Sequence, residues 1–232
     1  MIRRIIVLAV AASAAVWSLA LAQCPPSYVG PYSYSPVTTP IYAAVYRDSS
    51  CVPYCLWNAH WDLAAGTAEG VAQSFCFSES GPYGGFGMFL NDDYVLTGPS
   101  SPTPIPFTAV MHVTGSAGAT YGYTCSVGNV RAALQEGALT SSAAASGTCS
   151  PLAGAGLDTD LQLSLAKSVG EHFQLAMTLQ AGAACNSLST LSSRLTFLLP
   201  PGYGLMSCQG YVVPIATDVV RTSWGRVKTL YR

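Results

Sequence analysis

Three runs in the second half of the chain place an apolar residue at every other position. They are Leu161, Leu163 and Leu165; Phe173, Leu175, Met177 and Leu179; and Leu195, Phe197 and Leu199. A period of two puts one side of an extended chain on a core and the other in solvent, the pattern of antiparallel sheets. Turn chemistry separates the runs at short intervals, most sharply at Pro200-Pro201-Gly202 and more weakly at Ser168-Val169-Gly170 and Ala181-Gly182. Many short strands with Gly and Pro between them fold as a sandwich or barrel. The expected fold is therefore all-β, a jelly-roll-like antiparallel β-sandwich stabilised by disulfides. Residues 130 to 139 have some helix formers, but the stretch is short and Gly137 interrupts it, so it reads as strand or loop.

The first 22 residues suggest export. Arg3 and Arg4 precede an uncharged apolar run from Ile5 to Ala22 that ends in Ala20-Leu21-Ala22, a small-x-small cleavage pattern. A spanning helix is the rival, since about 18 residues is its lower limit, but alanines dilute this run. A mature chain from Gln23, with no membrane span, is expected outside the cell or on its outer surface. Charged residues make up only 9% of the chain, against about 25% in typical domains. Half the residues are hydrophobic and 13 are tyrosine, which argues against disorder. No basic stripe covers the body, so a nucleic-acid partner is not expected. Residues 23–42 are rich in Pro, Tyr and Ser and read as an extended lead-in. Residues 43–213 read as the sandwich domain, and 214–232 as a basic amphipathic tail.

All eight cysteines follow the expected cleavage site: Cys24, Cys51, Cys55, Cys76, Cys125, Cys149, Cys185 and Cys208. An even number in an exported chain reads as disulfides. The segment from Asp62 to Thr67 looks like a hairpin tip centred on Ala65-Gly66. That register sets Cys55 opposite Cys76, within bridging range, and leaves Cys24 for Cys51. The run out to Leu199 and back from Gly202 brings Cys208 level with Cys185. Cys125 and Cys149 remain for each other.

Several segments resemble exported bacterial β-sandwich ectodomains of the kind often found with PEP-CTERM sorting tails. They are Asp62-Leu63-Ala64-Ala65-Gly66-Thr67, Asp93-Tyr94-Val95-Leu96-Thr97-Gly98, Pro106-Phe107-Thr108, Val169-Gly170-Glu171-His172-Phe173-Gln174-Leu175, Leu199-Pro200-Pro201-Gly202-Tyr203 and Cys208-Gln209-Gly210-Tyr211. Their order over about residues 58–213 carries the resemblance. It implies a sandwich, an outer-surface or matrix location and no established activity, and it supplies no catalytic residues. The chain departs from the group in having no Pro-Glu-Pro motif with a hydrophobic span and a basic end.

Motifs of known chemistry are few. There is no Gly-x-Ser-x-Gly elbow, His-Glu-x-x-His helix or phosphate-binding glycine loop. His60-Trp61-Asp62 clusters an imidazole and a carboxylate, and a charged face opposite a buried Trp61 accounts for it without catalysis. Asn91-Asp92-Asp93 reads as a turn. Asp92 and Asp93, and likewise Asp158 and Asp160, are candidate calcium ligands. Trp57, Trp61, Tyr83 and Phe86, with Tyr94 beyond them, are candidate sugar-stacking rings, with core packing as the plainer reading. No cofactor and no catalytic residue is expected. The leading function is a non-enzymatic structural or interaction protein of the cell surface. A carbohydrate-binding module is the alternative, and a secreted hydrolase a remote one. The expected partners are an extracellular polysaccharide or another surface protein.

Overall fold

The computed structural model describes residues 24–31, 39–41, 45–52, 55–74, 84–119, 127–147, 155–184 and 186–215. The signal-like segment, the C-terminal tail from residue 216, Tyr83, Cys76, Cys125, Cys149 and Cys185 lie outside them. Fourteen strands follow in order: β1 (Ser27–Pro31), β2 (Thr39–Ile41), β3 (Val45–Val52), β4 (Cys55–Asp62), β5 (Thr67–Ser74), β6 (Gly84–Thr97) and β7 (Ile105–Ala119). After these come β8 (Val127–Glu136), β9 (Leu139–Gly147), β10 (Ala155–Lys167), β11 (His172–Ala184), β12 (Ser187–Leu198), β13 (Gly204–Ser207) and β14 (Val212–Val213). Residues 130 to 139 fold as a strand, a tight turn at Gly137-Ala138 and the start of the next strand.

The protein is a β-sandwich of two antiparallel sheets. One sheet has six strands in the order β10-β7-β12-β5-β4-β3. The other runs β14-β13-β6-β11-β8-β9, with β1 paired to β6 and β2 to β1. β9 lies over β10, β8 over β7, β11 over β12 and β5, and β6 over β4. The alternating residues of the three apolar runs fill the space between: Leu161, Leu163, Leu165, Phe173, Leu175, Met177, Leu179, Leu195 and Phe197 are all buried there. Phe86, from the eight-stranded sheet, lies against the backbone of β5 at Gly70. A Cβ on Gly70 would stand 2.1 Å from that ring, so only glycine fits.

Part of the lead-in belongs to this core. β1 pairs with β6 from Tyr28 opposite Phe89 to Pro31 opposite Phe86, and Val29 is buried in the core. Ser27 and Val29 are buried with Tyr28 partly exposed between them, although the proline-rich surroundings resemble a linker.

The expected turn at Asn91-Asp92-Asp93 is instead the middle of β6, a strand of 14 residues. Leu90, Asp92 and Tyr94 keep phase on the buried side, so the apolar stripe passes through the polar triplet. The hairpin between β4 and β5 has a tip of four residues centred on Ala64-Ala65. Asp62 Oδ1 accepts from Ala65 N–H at 2.9 Å, and Gly66 takes the left-handed conformation at φ 67° that closes the turn. Asp62 therefore pairs with Thr67, and Cys55 stands opposite Ser74 rather than Cys76.

Among the described residues a disulfide joins Cys24 to Cys208, with Cα atoms 5.4 Å apart. This replaces the expected Cys24–Cys51 and Cys185–Cys208 pairs. The cause is the path after Pro200-Pro201-Gly202. The chain does not come back beside its own sheet but crosses to the other, where β13 pairs with β6 from Gly204 opposite Thr97 to Ser207 opposite Tyr94.

Candidate functional site

The outer face of the six-stranded sheet carries two rows of polar side chains. One row crosses five strands: Asp158 on β10 opposite Thr114 on β7, Thr114 opposite Ser192 on β12, Ser192 opposite Glu69 on β5, and Glu69 opposite His60 on β4. The neighbouring row holds Asp160, His112, Arg194, Thr67 and Asp62. Because the central side chains are small, a groove of about 510 Å³ runs over them. Its walls and floor include Asn58, Glu69, Val71, Thr114, Ser116, Thr190 and Ser192. Two cross-strand hydroxyl pairs line it, Thr114 with Ser192 at 2.7 Å and Ser116 with Thr190 at 2.9 Å.

The histidines on this face are held by carboxylates. His112 Nδ1 lies 2.8 Å from Asp160, and its Nε2 lies 3.7 Å from Asp158. His60 Nδ1 lies 3.7 Å from Glu69. Asp158 and Asp160 do share a face, as residues two apart in a strand must, but both turn to the same imidazole. Asp92 and Asp93 point to opposite sides of β6: Asp92 is buried, and Asp93 reaches His172 Nδ1 at 2.7 Å across the strand pair. Among the described residues no three His, Cys, Asp or Glu side chains gather as a metal site.

The order of groups in the row decides what it can do. In a hydroxyl–imidazole–carboxylate relay the imidazole stands between the other two. Here Glu69 stands between Ser192 and His60, and Ser192 is hydrogen-bonded to Thr114 instead. Glu69 and Asp158 lie three strand spacings apart, on the order of 14 Å at ~4.8 Å per spacing. A glycosidase pair needs about 5–9.5 Å. What the groove presents is a set of hydroxyl, amide and carboxylate groups for hydrogen bonding.

The described members of the expected stacking set, Trp57, Trp61, Phe86 and Tyr94, are in the core. Trp61 and Phe86 are fully buried and Trp57 and Tyr94 nearly so, which leaves none of these faces to a ligand. His60 and Asp62 point outward from β4 with Trp61 inward between them.

The buried Asp92 has a structural task. β13 and β1 occupy the same edge of β6 and leave a gap between them, where backbone groups lack a ladder partner. Ser27 Oγ accepts from Asn91 N–H at 3.1 Å and donates to Asn91 C=O at 3.4 Å. Cys208 N–H donates to Asp93 C=O at 2.8 Å. Asp92 Oδ1 accepts from Asp93 N–H at 2.9 Å and Gln209 N–H at 3.1 Å, while Oδ2 is buried with no hydrogen bond among the described residues. Burial pushes the Asp92 carboxyl up to about 6, against the lowering effects of Ser207 and the two N–H groups. Beside it, burial first and the Asp92 charge second raise the Tyr94 hydroxyl.

A comparison with protein-family models finds no match for this chain, and a comparison with curated proteins finds none either.

Proposed function

We propose that this is a non-enzymatic interaction protein of the cell exterior, and that the outer face of the six-stranded sheet is its contact surface. The observation that carries the reading is the groove over Thr114, Ser116, Thr190 and Ser192, flanked by carboxylates that are paired with imidazoles. Such a face makes many directional hydrogen bonds, as polar interfaces do. The exported location is supported by the signal-like start and by the Cys24–Cys208 bridge, since disulfides persist in oxidising compartments. The resemblance to exported surface ectodomains supports the same location.

The test is binding of the labelled protein to intact cells of its own species, with Thr190→Arg and Ser192→Arg as groove-filling variants. Both should melt as the parent does and bind poorly. Equal binding by parent and variants overturns the groove as contact surface. Turnover of an ester or glycoside substrate that disappears in Glu69→Gln replaces the reading with a hydrolase.

A carbohydrate-binding module is the second reading. It is favoured by the hydroxyl and amide lining of the groove, which matches sugar hydroxyls as donors and acceptors.

A further inference from the structure

The opposite surface of the sandwich carries the exposed rings that the core aromatics do not provide. On the outer face of the eight-stranded sheet, Tyr28 of β1 stands opposite Phe89 of β6. Their ring centroids are 6.3 Å apart and their planes differ by 49°. Phe89 keeps 37% of its surface exposed, and Tyr28 is partly exposed.

The next row runs from Gly30 of β1 to Gly87, two residues from Phe89. Gly87 pairs with Gln180 of β11, which pairs with Arg131 of β8. Among the described residues neither the Gln180 amide nor the Arg131 guanidinium has a hydrogen-bond or ion-pair partner. Among the described residues nothing demands glycine at Gly87: a Cβ there would meet only the Gln180 side chain, at 3.8 Å, and the backbone is not left-handed. A glycine inside a strand weakens it, and close approach of another molecule is one of the uses that keep such a residue. Open floor, two ring faces and unspent donors therefore occur together within two rows.

We infer that Tyr28 and Phe89 form a stacking platform for a neutral pyranose chain, with Gln180 and Arg131 binding hydroxyls of the adjoining sugar. This rests on the carbohydrate-binding reading and moves the site to the other sheet. Aromatic faces carry partial negative charge, which attracts the slightly positive C–H face of a pyranose. The tilt between the rings suits successive sugar rings that are not coplanar. One strand spacing of ~4.8 Å and two residues along the strand put Gln180 roughly 8 Å from Phe89, room for the next sugar. Neutral rather than acidic glycans fit the charge of the chain. Its eleven acidic residues all lie between positions 23 and 220, where the only basic side chains are Arg47, Arg131, Lys167 and Arg194. A polyanion is repelled by that balance.

Native gels cast with hydroxyethylcellulose, xylan, galactomannan or laminarin, and with alginate as the anionic control, test the site. The mature protein should be retarded by at least one neutral polysaccharide and not by alginate. Phe89→Ala and Tyr28→Ala should weaken that retardation by about tenfold or more, which is ~1.4 kcal/mol, whereas Phe89→Tyr should retain it. Gly87→Gln fills the floor without touching the rings, and should abolish retardation while melting as the parent does. This variant keeps the test sound if Phe89→Ala folds poorly. No retardation by any neutral polysaccharide overturns both the platform and the carbohydrate reading. Retardation that survives Gly87→Gln and Phe89→Ala overturns the platform alone.

Discussion

Cys24 and Cys208 meet at the level of Asp93 because β13 and β1 lie end to end along one edge of β6. Cys208 N–H donates to Asp93 C=O, and carrying the β1–β6 register back from Tyr28 opposite Phe89 brings Cys24 to the same residue. The two short strands act as one interrupted strand, and the disulfide closes the interruption. It spans 184 residues of sequence, so it ties the first strand of the sandwich to one of the last.

Losing this bridge should cost what a native disulfide typically contributes, about 2–5 kcal/mol. Cys24→Ser, Cys208→Ser and the double variant should all melt at one lowered temperature, since each removes the same bond. Peptide mapping without reduction should recover the two cysteines in one linked fragment. A fragment linking Cys24 to Cys51 would refute the assignment.

Asp92 should make the protein more stable on mild acidification. Its carboxyl titrates at about 6 in the fold and at an ordinary 3.8 when unfolded. The folded state therefore holds the proton more tightly. The charged form carries a penalty that is fully present above pH 6 and is relieved as pH falls from about 6 towards 4. The full penalty is on the order of 3 kcal/mol. Asp92→Asn should remove it, so the stability difference between parent and variant should shrink as pH drops from 7 to 4.5. A difference that stays constant over that range counts against a buried, titrating Asp92.

Gly70→Ala should destabilise by about 1–3 kcal/mol, because the new methyl overlaps the Phe86 ring. Phe86→Leu in the same chain should recover part of the loss. Purely additive denaturation midpoints for the two changes would mean that the ring does not press on β5 there.

Lys167 joins the end of β8 at Glu136 to the β10–β11 turn at Glu171. Its Nζ lies 2.9 Å from Glu136 and 3.4 Å from Glu171, and 5.5 Å from the centre of the Phe173 ring. The hydrogen bond to Glu136 raises the Lys167 pKa above its usual 10.5. Its contribution is thus fully present below pH 10.5 and is lost only as pH climbs beyond that. Lys167→Met should lower the melting temperature at pH 7 by stranding Glu136, and adding Glu136→Gln should restore part of it. No recovery in the double variant would show that the pair is not the cause.

The alternation of Leu161 to Leu165 and of Phe173 to Leu179 made the sandwich legible, because side-chain direction in a strand is set locally. Partner choice is not local. Tyr28 and Phe89 pair across 61 positions, and nothing in the proline-rich stretch around β1 marks its partner. Cys24 and Cys208 followed that hidden pairing, so spacing arguments misassigned them. At Asn91-Asp92-Asp93 the local turn signal lost to the stripe of Met88, Leu90, Tyr94 and Leu96, which keeps one phase on both sides of it. The groove was invisible for a different reason. Thr114, Ser116, Thr190 and Ser192 are ordinary solvent-side residues until β7 and β12 are set side by side.

The bridge and the buried acid should be coupled. Gln209, whose N–H supports Asp92 Oδ1, is the residue after Cys208, and Cys208 itself is fixed to β6 by Asp93 C=O and to β1 by the disulfide. The turn from Ser207 to Tyr211 also covers the core here: Tyr211 packs edge-on against Tyr94 and Phe197, and its hydroxyl donates to Leu195 C=O. Cutting the bridge frees one anchor of that cover and admits water to Asp92. Burial is the largest cause of the raised carboxyl, so its titration should move back towards an ordinary aspartate. Cys24→Ser, which leaves the turn's own sequence intact, should therefore show a smaller gain in stability between pH 7 and 5 than the parent. A double-mutant cycle with Asp92→Asn isolates the effect: the two changes should be non-additive at pH 7 and close to additive at pH 4.5, where the parent carboxyl is already protonated. Strict additivity at both pH values would mean that the disulfide does not help keep Asp92 dry.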